Sequence, residues 1–114
     1  MSELADKKCI PCEGGAIPFD ISEIHKYQKK VDGWEVIKGE GELFFLSKKF
    51  KFENFLKSQN FINEVGKISE EEGHHPDIIF GWGYAEIKIT THAIKGLSEN
   101  DFILAAKIDK IINV

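Results

Sequence analysis

The stretch Glu70-Glu71-Glu72-Gly73-His74-His75-Pro76 sets two imidazoles side by side, behind three carboxylates and ahead of a proline, in a chain that has four histidines. Histidine titrates near neutrality and can donate or accept a proton, so a well-placed imidazole is worth roughly 10²–10⁴ in rate. A proline biases the residue before it toward extended backbone, where successive side chains point to opposite sides. His74 and His75 are therefore expected on opposite sides of the chain, and not as two ligands of one metal ion. The helical zinc pattern, two histidines four residues apart with a glutamate after the first, is absent. A zinc site would have to recruit His92 and an acid from elsewhere, so acid–base chemistry is the better use of these residues.

Other groups could complete such a site. Glu70 lies four residues before His74, about one helical turn, and could orient that imidazole if a helix persists to Gly73. His92 ends the run Ile89-Thr90-Thr91-His92, and strand ends with their loops are where side chains meet around a ligand. Each residue also has a plain structural use. Loop histidines are often simply solvated, and Asp101 fits a helix-capping role. Trp34 and Trp82 suit a core or an interface, and His25 sits among Lys26, Lys29 and Lys30 on a helix surface. Cys9 and Cys12 form a single C-x-x-C with no second pair, and Pro11 with Glu13-Gly14-Gly15 implies an irregular leader over residues 1–19. Reduced structural thiols are the expectation, with metal or redox work as the alternative.

The elements that must position these groups follow from periodicity. Asp20 is a good N-cap with Glu23 three residues on, and Ile21, Ile24 and Val31 share one stripe, so a first helix is predicted from about Ile21 to Val31 with Gly33 as its stop. Residues 34–37 and 42–50 read as two strands around a Gly-containing turn. Phe52, Phe55, Leu56, Ile62, Val65 and Ile68 recur at helical spacing, predicting a long central helix that stops at Gly73. A second hairpin turning near Gly83 is expected from the alternation of Ile87 and Ile89 against Glu86, Lys88 and Thr90. Ser98 and Asp101 have capping-box spacing, and Leu97 can pack on Phe102, so a third helix runs to near the end. The order helix, two strands, helix, two strands, helix predicts an α+β domain: a four-stranded antiparallel sheet with three helices on one face.

Composition narrows the classes. At 114 residues the chain is expected to form one domain, and 42% hydrophobic with 30% charged residues is ordinary for a folded soluble protein. A net charge of −4 with dispersed lysines gives no phosphate-backbone footprint, so direct nucleic-acid binding is not expected. No apolar run is long enough to span a bilayer and the opening residues are charged, which predicts an intracellular, cytoplasmic protein without a membrane segment.

The run from Glu70 to Asp109 also resembles the pterin-4a-carbinolamine dehydratase family. That pattern is an acidic residue, three others, His-His-Pro, an aromatic, a later Thr-His, then Gly-Leu-Ser/Thr and Asp. Glu70, His74, His75, Pro76, Trp82, Thr91, His92, Gly96, Leu97, Ser98 and Asp101 supply it in order. The resemblance extends more loosely over roughly residues 20 to 110, and Cys9-x-Pro11-Cys12-Glu13-Gly14-Gly15 is similar to the leader of some microbial and plant members. Gly73 replaces an acidic residue often found before the histidine pair, and Trp82 stands where Tyr is usual.

The resemblance implies a hydro-lyase that eliminates water from 4a-hydroxytetrahydropterin, recycling the cofactor of aromatic amino acid hydroxylases, with the pterin as substrate and no metal or other cofactor. It implies His74, His75 and His92 as catalytic residues. Glu70, Gly73, His74, His75, Pro76, Thr91, His92 and Asp101 are implied to contact or organise the substrate, with Glu70 tuning His74. Family members form homodimers or homotetramers, and Ile108, Ile111 and Ile112 could serve such an interface or the monomer core. The rival expectation is an interaction module, a dimerisation cofactor of a transcription factor, and a third is a dehydratase-like protein serving another pterin.

Overall fold

Strict alternation of apolar and polar residues builds the sheet. In the computed structural model, which describes residues 3–10 and 17–112, Ala85, Ile87 and Ile89 of β4 (Tyr84–Ile89) are fully buried while Tyr84, Glu86 and Lys88 face away. β4 pairs antiparallel with β2 (Phe44–Lys51) on one side, placing Leu46 opposite Ile89 and Phe50 opposite Ala85, and with β3 (Asp77–Gly81) on the other. β1 (Glu35–Lys38) completes the sheet in the order β1-β2-β4-β3. The β3–β4 turn is the two residues Trp82-Gly83, and Gly83 takes a φ of +81°, a conformation that L side chains rarely adopt.

The helices cover the buried face. α1 (Ile21–Gln28) starts on Asp20, whose side chain accepts the Glu23 N–H at 2.9 Å as the capping spacing predicts. It ends three residues before Val31. There the Lys30 and Val31 N–H groups bond the Tyr27 and Gln28 carbonyls in tighter turns, and Gly33 at φ +76° redirects the chain into β1. α2 (Phe55–Glu72) is capped by Asn54, which accepts the Lys57 N–H, and is stopped at Gly73 in the left-handed region.

The buried stripe of α2 differs from the predicted one. Ser58, Phe61, Val65 and Ser69 face the core with Ile62 and Ile68 at its margin, whereas Phe55 and Leu56 are exposed. The two serines disguise the stripe. Their hydroxyls bond back to Asn54 O and Val65 O, so polar residues occupy core positions without stranding a donor. Phe55 instead stacks on exposed Phe80 of β3, with ring centroids 5.6 Å apart.

α3 (Glu99–Ile112) lies between the other layers and is buried on nearly every side, from Asn100 to Ala106 and again at Ile108. Ile108 thus belongs to the monomer core, while Ile112 is exposed. The leader, expected to be irregular, contains a 3₁₀ turn at Glu3–Asp6 that inserts Leu4 into the core against α3. Cys12 lies outside the described residues.

Two polar clusters pin the layers together. Asp109 accepts the Trp34 indole N–H at 3.0 Å and the Lys48 ammonium at 2.8 Å, joining α3 to the start of β1 and to β2. Glu72 accepts the Cys9 backbone N–H at 2.8 Å and lies 3.7 Å from Lys107. Burial alone would raise the Glu72 carboxyl, but the Cys9 N–H and Lys107 outweigh it and hold the group below its ordinary value.

Removing the Asp109 carboxylate strands the buried Trp34 indole N–H and takes the charged partner from Lys48, which keeps the Asp32 carbonyl. Asp109→Ala is therefore expected to cost about 2 kcal/mol in urea unfolding, against under about 0.5 for the exposed Ile112→Ala. Because the folded Glu72 value is depressed, its contribution is complete above the unfolded value near 4.5 and is lost as pH falls through the lower folded value. The stability gap between wild type and Glu72→Gln should therefore shrink when unfolding is measured at pH 3 instead of pH 7.

Candidate functional site

The site is organised around a carboxylate with no exposed surface. Asp101 stands at the third position of α3, where the capping-box spacing places it, and its Oδ2 accepts the Ser98 backbone N–H at 2.8 Å. The same oxygen accepts the Thr91 hydroxyl at 2.8 Å, while Oδ1 meets His74 Nε2 at 2.7 Å. Three donors and the positive end of α3 replace the water that the carboxylate has lost. When the carboxylate is ionised it only accepts, and Nε2 of His74 is then the donor and Nδ1 the atom left for proton exchange.

Each partner reaches Asp101 for a local reason. Gly73 ends α2 at φ +64°, and the His74 N–H bonds back to Ser69 O at 3.2 Å, turning the His74 side chain inward. A Cβ on Gly73 would meet nothing within 4 Å, so the glycine is required by its backbone conformation and not by space. His75, next along the chain, points out, with 58% of its side chain exposed against 12% for His74. Opposite sides were expected from the proline rule, and the two imidazoles occupy them.

The carboxylate partner of His74 differs from the expected one. Glu70, predicted to orient His74, bonds Nε2 of His75 instead, and Asp101 takes His74. The one-turn spacing of Glu70 and His74 fails because the chain leaves the helix at Gly73, rotating the next residue inward and the one after it toward Glu70. The capping-box spacing located Asp101 but held no information about what crosses to it from 27 residues away.

His92 sits beyond the strand end. β4 stops at Ile89, Thr90 donates to Phe44 O, and His92 opens a 3₁₀ turn through Ile94. This turn is closed by paired backbone hydrogen bonds between Thr91 and Gly96 and anchored by buried Ile94. The His92 side chain is exposed, one residue from the Thr91 hydroxyl that binds Asp101. Asp101 therefore ties the His74 loop and the His92 loop to one helix end. Pro76 leads from His75 directly into β3, whereas Trp82 is 71% exposed at the opposite end of that strand. His25 is exposed on α1.

An antiparallel sheet covered on one face by three helices, with histidine loops gathered at a buried carboxylate, defines the class as an α+β protein. A family model described as pterin 4 alpha carbinolamine dehydratase matches residues 18–111. A Rubrobacter xylanophilus protein provisionally named a pterin-4-alpha-carbinolamine dehydratase is 47% identical over 111 residues, covering 97% of this chain and 100% of its own. A Rickettsia canadensis protein of the same provisional name is 48% identical over 113 residues, 98% of this chain and 100% of that one.

Two solved structures share the fold. A Brucella melitensis protein titled transcriptional coactivator/pterin dehydratase superposes with a TM-score of 0.74 at 26% identity, covering 82% of this chain and 97% of its own. A pterin dehydratase-like protein, described as a RuBisCO assembly factor of the alpha-carboxysome, gives 0.59 at 29% identity over 69% of this chain and 88% of its own. The chain belongs to the pterin-4a-carbinolamine dehydratase family, a family of hydro-lyases.

Thr91→Val is nearly isosteric but removes one of the three donors to Asp101. It is expected to cost about 1–3 kcal/mol in denaturant unfolding, whereas Thr91→Ser, which keeps the hydroxyl, should cost less than half as much.

Proposed function

We propose that this protein catalyses dehydration of a 4a-hydroxytetrahydropterin to the quinonoid dihydropterin. The observation that supports this reading most directly is the His74–Asp101 pair, an imidazole oriented by a buried carboxylate. The elimination breaks the C4a–O bond and forms a C4a=N5 double bond: a base takes the N5 proton, and an acid protonates the departing hydroxyl, which leaves as water. One acid and one base suffice, so no metal or redox cofactor enters the scheme.

His74 and His92 carry the two proton transfers in this proposal. His74 acts through Nδ1, with Asp101 fixing its ring and stabilising the charged form, while His92 works from the adjoining loop. His75, paired with Glu70, positions the pterin by hydrogen bonding. Gly73, Pro76 and Thr91 shape the pocket through the backbone of the two loops. We place this activity in recycling of the tetrahydropterin cofactor of aromatic amino acid hydroxylases, in the cytoplasm, by a homodimer or homotetramer. No helix among the described residues is long and apolar enough to cross a membrane.

A second reading has one specific observation in its favour. The Brucella melitensis structural neighbour is titled both a coactivator and a dehydratase, so an interaction role for this chain beside or instead of catalysis is the alternative. Such a role has no chemical need for an imidazole held by a buried carboxylate.

Stopped-flow absorbance of 4a-hydroxytetrahydropterin decay separates the two. Wild type, with or without chelator treatment, should accelerate the decay, and His74→Ala and His92→Ala should each lose roughly 10²-fold or more. Asp101→Asn should lose activity while retaining most substrate affinity. A folded wild type that leaves the spontaneous rate unchanged sinks the enzyme reading in favour of the interaction module.

A further inference from the structure

The leader does more than cover the core. Residues 7–10 run across the gap between the last turn of α2 and the first turn of α3, and they touch both. On the α2 side, the Cys9 N–H donates to Glu72 Oε1 at 2.8 Å and the Lys8 ammonium to Glu71 O at 3.4 Å. On the α3 side, the Ile10 N–H donates to Asn100 Oδ1 at 3.0 Å, and Asn100 Nδ2 donates back to Ile10 O at 2.5 Å. Lys7 adds an ion pair to Glu99 at 2.8 Å.

These are the two helix ends that the His74–Asp101 bond also joins. His74 follows Glu72 with only Gly73 between them, and Asp101 is the residue after Asn100. The leader and the His74–Asp101 bond therefore span the same gap as parallel cross-links, and the spacing set by one is the spacing the other must accept. A hydrogen bond at 2.7 Å weakens steeply with small displacements, and misplacing a reacting group by about 1 Å can cost as much as 10²-fold in rate.

We propose that Glu72 and Asn100 are positioning residues for His74, using the Cys9–Ile10 backbone as a strap that sets the distance between His74 and Asp101. The inference rests on the proposed dehydratase chemistry for its rate consequence, though not for its geometric one. Asn100 suits the task because a primary amide offers one donor and one acceptor in a plane, matching the N–H and C=O of a single extended residue. Asn100 is 95% buried on α3, whereas Ile10 is 69% exposed and contributes little apolar burial, leaving partly buried Cys9 as the strap's packed residue. The Cys9 thiol adds a weak bond to the same helix, with Sγ 3.6 Å from Asn100 O, and burial and the Glu72 carboxylate push it up to about 12, keeping it neutral.

The test uses the full chain with Asn100→Ala, which removes both bonds to Ile10. Ile10→Pro deletes the N–H at an exposed residue, while also fixing its φ and restricting Cys9, and serves if Asn100→Ala fails to fold. Two readouts are needed. The His74 Nε2–H resonance should be sharp and downfield in wild type and broadened or shifted in both variants, with the buried Trp34 indole N–H as the unaffected control. Stopped-flow assay should show kcat reduced about tenfold with KM changed by less than about twofold. A variant that unfolds at lower temperature but keeps both the His74 resonance and kcat overturns the proposal, because the strap is then a stability element alone. If wild type does not dehydrate the pterin, the functional reading fails by itself, and the resonance still decides the strap.

Discussion

A carboxylate withdrawn completely from water is the constraint on which the rest of the site depends. An ionised side chain in that position is tolerated only when hydrogen bonds replace its hydration. Asp101 obtains them from three separate pieces of chain: the start of its own helix, the Thr91 turn and the His74 loop. Meeting the needs of one residue therefore brings two histidine loops to one place, and satisfying a capping position becomes inseparable from assembling the site.

The scaffold delivers those pieces by stopping its elements at defined points. Gly73 ends α2 and lets His74 turn back toward α3, while the Thr91–Gly96 bridge folds the chain over just after β4. Between them, the β3–β4 hairpin carries the chain from His75 out to Gly83 and back. The loops that meet at Asp101 are thus the outer flanks of one hairpin, held rigid by the central position of β4 in the sheet. Family membership and the superposition on the Brucella melitensis structure agree with this frame, which preserves the topology at 26% identity. That the same frame occurs in proteins titled as a coactivator and as a RuBisCO assembly factor shows how loosely fold and role are tied.

Much of this organisation was legible in the chain. Periodicity, with caps and turn residues, determined the order of helices and strands, because the alternation of Ile87 and Ile89 and the spacing around Val65 are direct consequences of strand and helix geometry. Gly73 marked the stop of α2 and Gly83 the hairpin turn, the capping box located the start of α3, and the proline rule separated His74 from His75. The motif from Glu70 to Asp101 then pointed to the family. Local rules succeed at these points since the physics they summarise acts within a few residues.

Other features needed the third dimension. The Ser58 and Ser69 hydroxyls bond within their own helix, so polar letters stood for core positions and the buried stripe of α2 was misread at Phe55, Leu56 and Phe61. The pairing of His74 with Asp101, and of Glu70 with His75, was decided by how the chain leaves α2 and which helix end lies across from it. Glu72 and Asn100 gained their partners from a leader 63 and 90 residues away. The sequence by itself determined which residues could transfer protons and which elements would hold them. Only the tertiary structure decided which carboxylate faces which imidazole, because a hydrogen bond over a few ångströms depends on packing between distant segments and leaves no periodic trace in the chain.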